Sequence, residues 1–408
     1  MSSKNVAFLM VDVPDLSGGG GAERFFYDFY LRNNASENHK YNIHFYTNET
    51  TNLERVSYLD TGNNYLRVFK TFSNKFFRRF TDKSLLLKET TQFCREFLTF
   101  VPLYFSFLKN KIEVLHVPLY EAKDYYLLWF FDKLAIYKRP KISISIVDCR
   151  IPYRYFSKDS LHYYSSEINY GRLFRNIRID GFLSWYKLFK EFVEQEKIVK
   201  RNNFIYCIRS RYSIIDVVDC WEQKKNWIVF AGRLDDQKDP EFFLQAVNEV
   251  IKAGRAKDFV FKIFGKGPLK EKLETYIIEN NLQVFVKVDF HSKMREIFIQ
   301  SKCFVSTQLF ENFPSMSMAE AMACQNAVIA KNVGQSELFV KEGVNGFLIN
   351  EKNTADLAAK LMEYIDLPET EKKKLGLGSS TLLSEVHTFE NFRDQFNEYV
   401  DNLLLQRK

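Results

Sequence analysis

The chain has 408 residues, of which 46% are hydrophobic and 27% are charged. This length exceeds that of a domain with a single ordinary hydrophobic core, so it predicts two domains. With only 16 Gly and 9 Pro, the composition excludes a disordered or fibrous protein. The net charge of +7 is mildly basic.

The first half alternates apolar strands with helical stretches. The run Val6–Val11 predicts a buried strand, and a turn with four glycines leads from it into a helix, which is how a βαβ unit begins. Further strands are predicted at Tyr41–Thr47, Ile112–Val117 and Lys141–Val147. Because helical stretches separate them, we expect a parallel sheet covered on both faces.

A basic segment, Arg67–Lys111, lies within this half and holds ten Lys or Arg against three Asp or Glu. Its cations are mixed with Phe, Tyr and Leu, which fits peripheral contact with an anionic membrane surface. The alternative is a pair of helices with a core face and a solvated basic face. The nearly uncharged run Phe97–Leu108 is shorter than the roughly 20 residues that cross a bilayer. With no signal peptide before the first strand, we expect a cytoplasmic protein, free or at the cytoplasmic face of a membrane.

The second half repeats the pattern. Asn226–Gly232 predicts a strand, and the helix after it has Asp239 as N-cap, Pro240 in its first turn and a glycine beyond its end. Further strands and helices follow, and the last predicted helix, from about Phe389 to Leu404, has no strand after it.

These elements predict an α/β protein with tandem domains. We place the first domain at residues 1–205, the second at 206–388, and a C-terminal helix at 389–408 that packs back toward the first domain. Ligands in such sheets bind beyond the carboxyl ends of the strands, so we expect a cleft between the domains. The loops that would line it are 17–24, 232–240, 264–268 and 309–318.

Six cysteines are scattered through the chain without a C-x-x-C spacing. This distribution argues against a zinc site or a disulfide framework and favours a reducing compartment.

Two of the four loops that we expect to line the cleft carry residues suited to binding phosphate. The glycine-rich turn Gly18–Arg24 could bring backbone N–H groups close to a phosphate or sugar, although a merely permissive turn is the simpler interpretation. Arg233 and Lys238 follow a strand and could hold a diphosphate. Alternatively, both cations pair with the aspartates of their own loop, Asp235, Asp236 and Asp239.

A third loop carries two glutamates, Glu311 and Glu320. Ser317 and Glu320 have the spacing of a capping box, so Glu320 could close a helix N-terminus. A carboxylate at this place could instead accept two hydrogen bonds from a vicinal diol such as a ribose. Backbone N–H groups near residues 315–317 suit a phosphate or sugar oxygen. The residues alone leave both interpretations open.

Taken together and in this order, the motifs GGAER, FAGRLDDQKDP, IFGKGPLKEKLE and ENFPSMSMAEAMAC resemble those of the retaining, nucleotide-sugar-dependent glycosyltransferases of the GT-B fold (glycosyl transferases group 1, family four). The resemblance spans most of the chain and is strong over residues 227–350. It implies two Rossmann-like domains whose parallel sheets face a central cleft.

The resemblance also implies roles for particular residues. Arg233 and Lys238 would bind the donor's diphosphate, Glu320 the ribose of its nucleotide, and Glu311 the donor sugar. The backbone of residues 313–316 would contact sugar and phosphate. The full set of donor-binding positions would be Gly20, Gly21, Gly232, Arg233, Lys238, Gly265, Asn312, Phe313, Pro314, Ser315, Met316 and Glu320. Relatives of this kind need no bound metal and no cofactor, with the nucleotide sugar as substrate.

Two departures from the family pattern affect the site. Eight residues separate the two glutamates here, where the family has seven, so Asn312 is an alternative to Glu311 for the first acidic position. Many relatives carry a histidine after the last inner strand of the first domain, and Asp148 takes that place. We therefore include Asp148 with Glu311, Arg233 and Lys238 as candidate catalytic residues. His116 is a further cleft candidate, or a structural histidine.

The expected activity is transfer of a sugar, with retained configuration, from a nucleotide diphosphate to a hydroxyl of a glycan or lipid-linked acceptor. Surface polysaccharide, lipopolysaccharide or glycolipid assembly is the expected setting, with membrane contact through residues 67–111 and no nucleic-acid partner. The alternative is a non-catalytic sugar-nucleotide or glycan-binding protein on the same fold. A phosphorylase-like enzyme or an epimerase is a weaker alternative, since no lysine-bearing cofactor motif is evident.

Overall fold

A computed structural model describes residues 4–10, 21–47, 66–68, 85–118, 125–146, 173, 176–196, 204–313, 315–350 and 353–406. The chain forms two compact units. The first unit comprises Met1–Ile208 together with Arg393–Lys408, and the second comprises Arg209–Phe392. The two passages between units thus follow Ile208 and Phe392, whereas the sequence placed boundaries after residues 205 and 388.

The first unit contains one parallel sheet in the order β3-β2-β1-β4-β5-β6-β7. Its described strands are β1 (Lys4–Met10), β2 (Tyr41–Thr47), β3 (Leu66–Val68), β4 (Ile112–Val117), β5 (Lys141–Ile146), β6 (Gly181–Ser184) and β7 (Phe204–Cys207). Its described helices are α1 (Gly21–Ala35), α2 (Leu85–Lys109), α3 (Tyr125–Lys133) and α4 (Lys187–Glu196). Most side chains of the inner strands are buried on both faces, as the sequence predicted for a sheet covered by helices, although β4 and β5 carry the polar residues His116, Ser143 and Ser145.

Aromatic side chains fill the core around β1. Phe8 lies under α1, with its ring centroid 6.0 Å from that of Phe26 and 6.1 Å from that of Phe29. All three side chains are buried completely. This packing explains part of the high aromatic content of the chain, since burial of large rings contributes strongly to core stability.

The last helix, α11 (Phe389–Leu405), begins in the second unit and continues into the first. From Arg393 onward its buried side chains are Phe396, Tyr399, Val400 and Leu403. The Tyr399 hydroxyl lies 2.5 Å from Ser143 Oγ on β5. The helix therefore completes the core of the first unit.

His116 on β4 belongs to this core. Its ring nitrogens lie 2.7 Å from Ser143 Oγ and 2.9 Å from Ser145 Oγ, and it packs against Phe8 and Phe26. Burial lowers its pKa to about 3. With 1% of its surface exposed, His116 is a structural histidine, and the idea that it lines a cleft is not supported.

Helix α2 has the core face that the second interpretation of the basic segment expects, but it lacks the basic exposed face. Its buried face contains Phe100, Leu103 and Phe107, but its exposed face is apolar and not basic. Residues 69–84, which hold five of the ten cations of the segment, lie outside the described residues. Among the described helices, none combines the length and hydropathy that a bilayer span requires.

The second unit contains a parallel sheet in the order β10-β9-β8-β11-β12-β13. Its described strands are β8 (Lys225–Ala231), β9 (Val260–Phe264), β10 (Val286–Asp289), β11 (Ser301–Ser306), β12 (Ala327–Lys331) and β13 (Gly346–Ile349). Its described helices before α11 are α5 (Pro240–Lys252), α6 (Lys270–Glu279), α7 (Met294–Gln300), α8 (Met316–Ala323), α9 (Thr354–Asp366) and α10 (Glu369–Glu385), with short 3-10 turns at Trp221–Gln223 and Ser336–Leu338. This is the strand order of a Rossmann-like domain.

Candidate functional site

The carboxyl ends of β8 and β11 are adjacent at the point where the strand order of the second sheet reverses. From β8 the chain moves outward through β9 and β10, and it returns to the other side of β8 as β11. Ligands bind beyond the strand ends at such a point in open α/β sheets. The loops that follow these two strands carry Arg233, Lys238 and Glu311.

Hydrogen bonds join the two loops. The Lys238 ammonium donates to Gln308 Oε1 at 2.5 Å. The Thr307 hydroxyl lies within hydrogen-bonding distance of the carbonyl oxygens of Lys238 (2.9 Å) and Asp239 (2.8 Å). Lys238 is therefore held at the reversal point by the loop that follows β11.

Asp239 fixes the start of helix α5, as the sequence predicted. Its carboxylate accepts a hydrogen bond from the Phe242 N–H, and Pro240 occupies the first helical position. Its φ of +49° is left-handed, a conformation that Asp tolerates better than most residues. The sharp turn at Asp239 directs the preceding residues toward the strand ends.

Arg233 is exposed and lies in the ion pair that the sequence offered as the alternative. Its guanidinium is 2.9 Å from Asp235 Oδ2 and donates to Gln237 Oε1 at 3.0 Å, while 64% of the side chain remains accessible. An exposed pair of this kind contributes about 0–1 kcal/mol. A ligand phosphate that accepts a bidentate hydrogen bond could therefore replace Asp235 as its partner.

Glycines allow the loop after β9 to pack against the loop after β8. A Cβ on Gly265 would lie 1.9 Å from the Gly232 carbonyl oxygen, and one on Gly267 would lie 2.3 Å from the Leu234 carbonyl oxygen. The Leu234 N–H in turn donates to the Lys266 carbonyl. Gly265 thus positions the backbone around Arg233, and Gly267 does the same although the sequence motif had not singled it out.

Glu311 lies where the loops after β11 and β12 meet. Its Oε1 accepts hydrogen bonds from the Phe313 N–H (3.0 Å) and the Gln335 N–H (2.8 Å). Burial raises its pKa to about 7, although these N–H groups act in the opposite direction. Gly334 makes room for the carboxylate, because a Cβ there would lie 2.0 Å from Glu311 Oε2.

Asn312 has a different environment from its neighbour Glu311. Its amide accepts a hydrogen bond from Ser306 Oγ (2.6 Å) and donates to the Lys331 carbonyl (2.5 Å) and to Ser336 Oγ (2.9 Å). Only 1% of the residue is exposed. The Asn312 side chain thus joins the ends of β11 and β12.

The buried Phe313 side chain anchors the same loop to the core. Its ring is fully buried and lies 5.0 Å from the Phe339 ring and 5.8 Å from the His387 ring. The side chain is unavailable to a ligand, but it fixes the backbone that the family resemblance assigns to sugar and phosphate contact. Nothing in the sequence pattern had connected His387 with this loop.

Helix α8 begins earlier than a capping box at Ser317 and Glu320 requires. Its N-cap is Ser315, whose hydroxyl accepts from the Met318 N–H, and Met316 is the first helical residue. Glu320 is therefore one turn inside the helix, where it is 9% exposed. The capping box predicted for Ser317 and Glu320 is therefore wrong.

The remaining candidates are less informative. Gly20, Pro314 and Asp148 lie outside the described residues, and Gly21 is the first residue of α1 in the first unit. Met316 contacts the Arg211 guanidinium through its sulfur. Across the described ranges, no group of three or more His, Cys, Asp or Glu side chains is arranged to hold a metal ion.

Known proteins resemble this chain in sequence over its second unit. Residues 218–375 match the family model of the glycosyl transferases group 1. An uncharacterized glycosyltransferase of Methanocaldococcus jannaschii, MJ1178, is 32% identical over 149 residues, which is 36% of this chain and 40% of that protein. An Escherichia coli UDP-Gal:alpha-D-GlcNAc-diphosphoundecaprenol alpha-1,3-galactosyltransferase is 32% identical over 137 residues, 33% of this chain and 35% of that protein.

Solved structures match nearly the whole chain in fold. The crystal structure of Anabaena Alr3699/HepE in complex with UDP and glucose has a TM-score of 0.67 at 15% sequence identity, covering 98% of this chain and 100% of that one. The chain therefore has the GT-B fold, as its motifs predicted, and within it residues 218–375 resemble the glycosyl transferases group 1.

Proposed function

We propose that the protein is a retaining glycosyltransferase that moves a sugar from a nucleotide diphosphate to an acceptor hydroxyl. The observation that carries this proposal is the arrangement at the reversal point of the second sheet. There, Arg233 and Lys238 follow one strand, and Glu311 and the start of helix α8 follow its neighbour. Two cations beside a helix N-terminus suit a diphosphate, and carboxylates suit sugar hydroxyls.

In this proposal the donor is held by distinct groups. Arg233 and Lys238 bind the diphosphate, and Glu320 accepts hydrogen bonds from the ribose. Glu311 contacts the donor sugar, and the backbone from Phe313 to Met316 contacts sugar and phosphate. Gly232 and Gly265 keep the backbone near the diphosphate free of side chains.

The chemical step is cleavage of the bond between the sugar's anomeric carbon and the phosphate oxygen. The bonding electron pair leaves with the diphosphate, where Arg233, Lys238 and the N–H groups at the start of α8 stabilise the added charge. The acceptor hydroxyl oxygen bonds to the anomeric carbon from the same face, and its proton passes to the departing phosphate oxygen. Because these groups carry the charge stabilisation, the proposed step requires no metal ion and no cofactor.

We propose a glycan or lipid-linked acceptor and a place in surface polysaccharide, lipopolysaccharide or glycolipid assembly. The names of relatives support this proposal, since the Escherichia coli protein is a galactosyltransferase for a diphosphoundecaprenol-linked sugar. A lipid-linked acceptor would place the enzyme at the cytoplasmic face of a membrane.

A donor screen tests the activity. The purified protein is incubated with each common sugar nucleotide, without acceptor or added metal, while nucleotide diphosphate release and thermal stability are measured. We expect slow hydrolysis of one donor and its loss in Glu320→Ala. The matched control is Glu279→Ala, which removes an exposed carboxylate at the end of α6.

The same screen distinguishes an enzyme from a non-catalytic binding protein with the same fold. Thermal stabilisation by a donor without release, even after simple acceptors are added, would indicate a non-catalytic sugar-nucleotide-binding protein. No response to any donor would contradict the assignment of this site to a nucleotide sugar.

A further inference from the structure

Helix α2 in the first unit presents an apolar face to solvent. The side chains on this face are spaced at helical intervals and are all more than one-third exposed: Phe93, Phe97, Leu98, Val101 and Phe105. Phe105 is the most accessible, at 66%. Soluble monomers rarely expose a contiguous apolar surface, so such a face indicates a binding partner.

The orientation of α2 is fixed by its opposite side. Phe100, Leu103 and Phe107 are buried in the core, and the rings of Phe93 and Phe97 lie 5.0 Å and 5.3 Å from that of Phe130 on α3. The helix cannot turn its apolar face inward without removing these core residues. The buried side of the helix therefore determines which of its side chains face solvent.

This exposed face carries no charge over four turns of the helix. Between Thr90 and Leu108 the charged residues are Arg95 and Glu96. The Glu96 carboxylate is buried and accepts a hydrogen bond from the Leu127 N–H at the start of α3 (2.7 Å), and Arg95 lies 3.8 Å from it. Both charges thus point away from the apolar face, which ends at the exposed Lys109.

A second segment extends the apolar surface. After α3 the chain passes beside the C-terminal half of α2, where the Lys138 N–H donates to the Tyr104 hydroxyl (3.1 Å). In this segment Ile136 and Tyr137 are 89% and 87% exposed. Transfer of the Ile136 and Tyr137 side chains from water into an apolar phase would be favourable.

Exposed lysines lie at the ends of both apolar segments. Lys109 ends the α2 face, and Lys133 and Lys138 bracket Ile136 and Tyr137, all of them exposed. An apolar centre with a cationic rim is complementary to an anionic lipid surface, where each lysine contributes about 1 kcal/mol of attraction.

We propose that the α2 face and residues 134–138 form a docking surface for an anionic lipid bilayer. Phe105, Leu98 and Tyr137 enter the interface between headgroups and acyl chains, while Lys109 and Lys138 contact lipid phosphates. A second copy of the chain is the less suitable occupant, because a symmetric contact through this face would bring lysines of the same charge together.

Vesicle flotation of the full chain tests this surface. Wild-type protein is expected to float with vesicles of equal parts phosphatidylglycerol and phosphatidylcholine at low salt, and much less with phosphatidylcholine alone. L98S and F105S should each weaken binding about tenfold, since each removes an inserted apolar side chain. K109A and K138A should each weaken it about fivefold at low salt and little at high salt.

The matched control is Val284→Ser, which alters a valine that is 80% exposed in the second unit and should leave flotation unchanged. The proposal fails if wild-type protein does not bind anionic vesicles at low salt. It fails equally if L98S and F105S leave flotation intact but dissociate an oligomer seen by light scattering, because the face would then belong to a second copy. Flotation uses no sugar donor, so neither result depends on donor hydrolysis.

Discussion

Glu311 is held at one place by two loops that are distant in sequence. The Phe313 N–H comes from its own loop and the Gln335 N–H from the loop after β12. Burial raises the pKa of this carboxyl to about 7, so near neutral pH the folded protein contains both its protonated and its ionised form. A group with this pKa can both donate and accept hydrogen bonds with sugar hydroxyls.

The pKa of Glu311 predicts a dependence of stability on pH. From pH 4.5 to about 7, the unfolded state releases a proton that folded Glu311 keeps, so this residue makes the protein less stable as pH rises. Glu311→Gln removes that loss, and its free energy of unfolding relative to wild type should rise by up to about 3 kcal/mol over this range. Denaturant unfolding at several pH values measures the difference. Glu96, whose pKa burial also raises to about 7, is present in both proteins and cancels. A difference that is constant with pH would contradict the assignment.

Arg233 should be the most sensitive cation of the proposed chemistry. Arg233→Ala is expected to lower the turnover number roughly 10²–10³-fold, the usual effect of losing one preorganised charge-stabilising contact. Its stability should change little, since the exposed pair with Asp235 is weak. Steady-state kinetics with the hydrolysed donor measures the effect. The control is Arg255→Ala, because Arg255 pairs with Asp366 at the amino ends of the strands, whereas the site lies beyond their carboxyl ends. A near-normal turnover number in Arg233→Ala would contradict the proposed mechanism.

At this scale, the sequence could place residues on loops but could not orient their side chains. Glu311 and Asn312 are adjacent and both suit a sugar in composition, and only the structure shows that the Glu311 carboxylate accepts from backbone N–H groups while the Asn312 amide joins the ends of β11 and β12. Likewise the pattern Ser317-x-x-Glu320 predicted a helix start, but Ser315 caps the helix two residues earlier. Local spacing is ambiguous when two serines lie within one turn.

At the scale of elements, the site depends on how closely loops can approach one another. The glycine of β9's loop, Gly265, allows contact with the Gly232 carbonyl, and Gly334 allows the Glu311 carboxylate to fit against the loop after β12. Parallel strands bring their carboxyl ends together whatever their distance in sequence. The loops can therefore share one site only because small residues stand at their contacts.

Gly265→Ala should disturb this packing much more than Gly232→Ala. A Cβ at Gly265 would collide with backbone, at 1.9 Å from the Gly232 carbonyl oxygen, whereas a Cβ at Gly232 would make ordinary contact with the Lys238 side chain at 3.6 Å. We expect Gly265→Ala to cost about 1–3 kcal/mol or more and Gly232→Ala less than about 1 kcal/mol. Urea unfolding of both variants measures the difference. Equal effects would show that the loops do not pack as described.

Strands were the most predictable elements, because buried parallel strands are continuous apolar runs. Tyr41–Thr47 and Ile112–Val117 have the predicted ends, and Asn226–Gly232 is shifted by one residue. The partners of Glu311 in the loop after β12 were not predicted. No local pattern in Gly334-Gln335 reports a contact with a carboxylate that is more than twenty positions away.

At the scale of the whole molecule, the first unit is built from two separate parts of the chain. Its sheet is made by the residues before Ile208, and α11 closes its core after the chain has formed the second unit. Tyr399 is central to this closure, being fully buried and bonded to Ser143. A Cβ on Gly181 would lie 2.8 Å from both Tyr399 and Leu403, so β6 has a glycine where the helix lies closest.

Truncating Tyr399 should therefore destabilise the first unit. Tyr399→Ala is expected to cost about 3–5 kcal/mol, as for other large buried aromatics. Leu405→Ala on the same helix, at a residue that is 77% exposed, should cost less than about 0.5 kcal/mol. Thermal or urea denaturation followed by circular dichroism compares them. A small effect of Tyr399→Ala would mean that the helix is not part of this core.

Because the first unit is built from two separate segments of the chain, its core can be completed only late in synthesis on the ribosome. A domain usually folds soon after it has been synthesised, beginning from the N-terminus of the chain. Here the aromatic core around Phe8 lacks Phe396 and Tyr399 until the second unit has been translated. At about 5–20 residues per second, the stretch from Arg209 to Leu403 takes roughly 10–40 s to make. During that interval the first-made half of the nascent protein exposes the surface that α11 will cover, and we expect it to be the half that chaperones recognise.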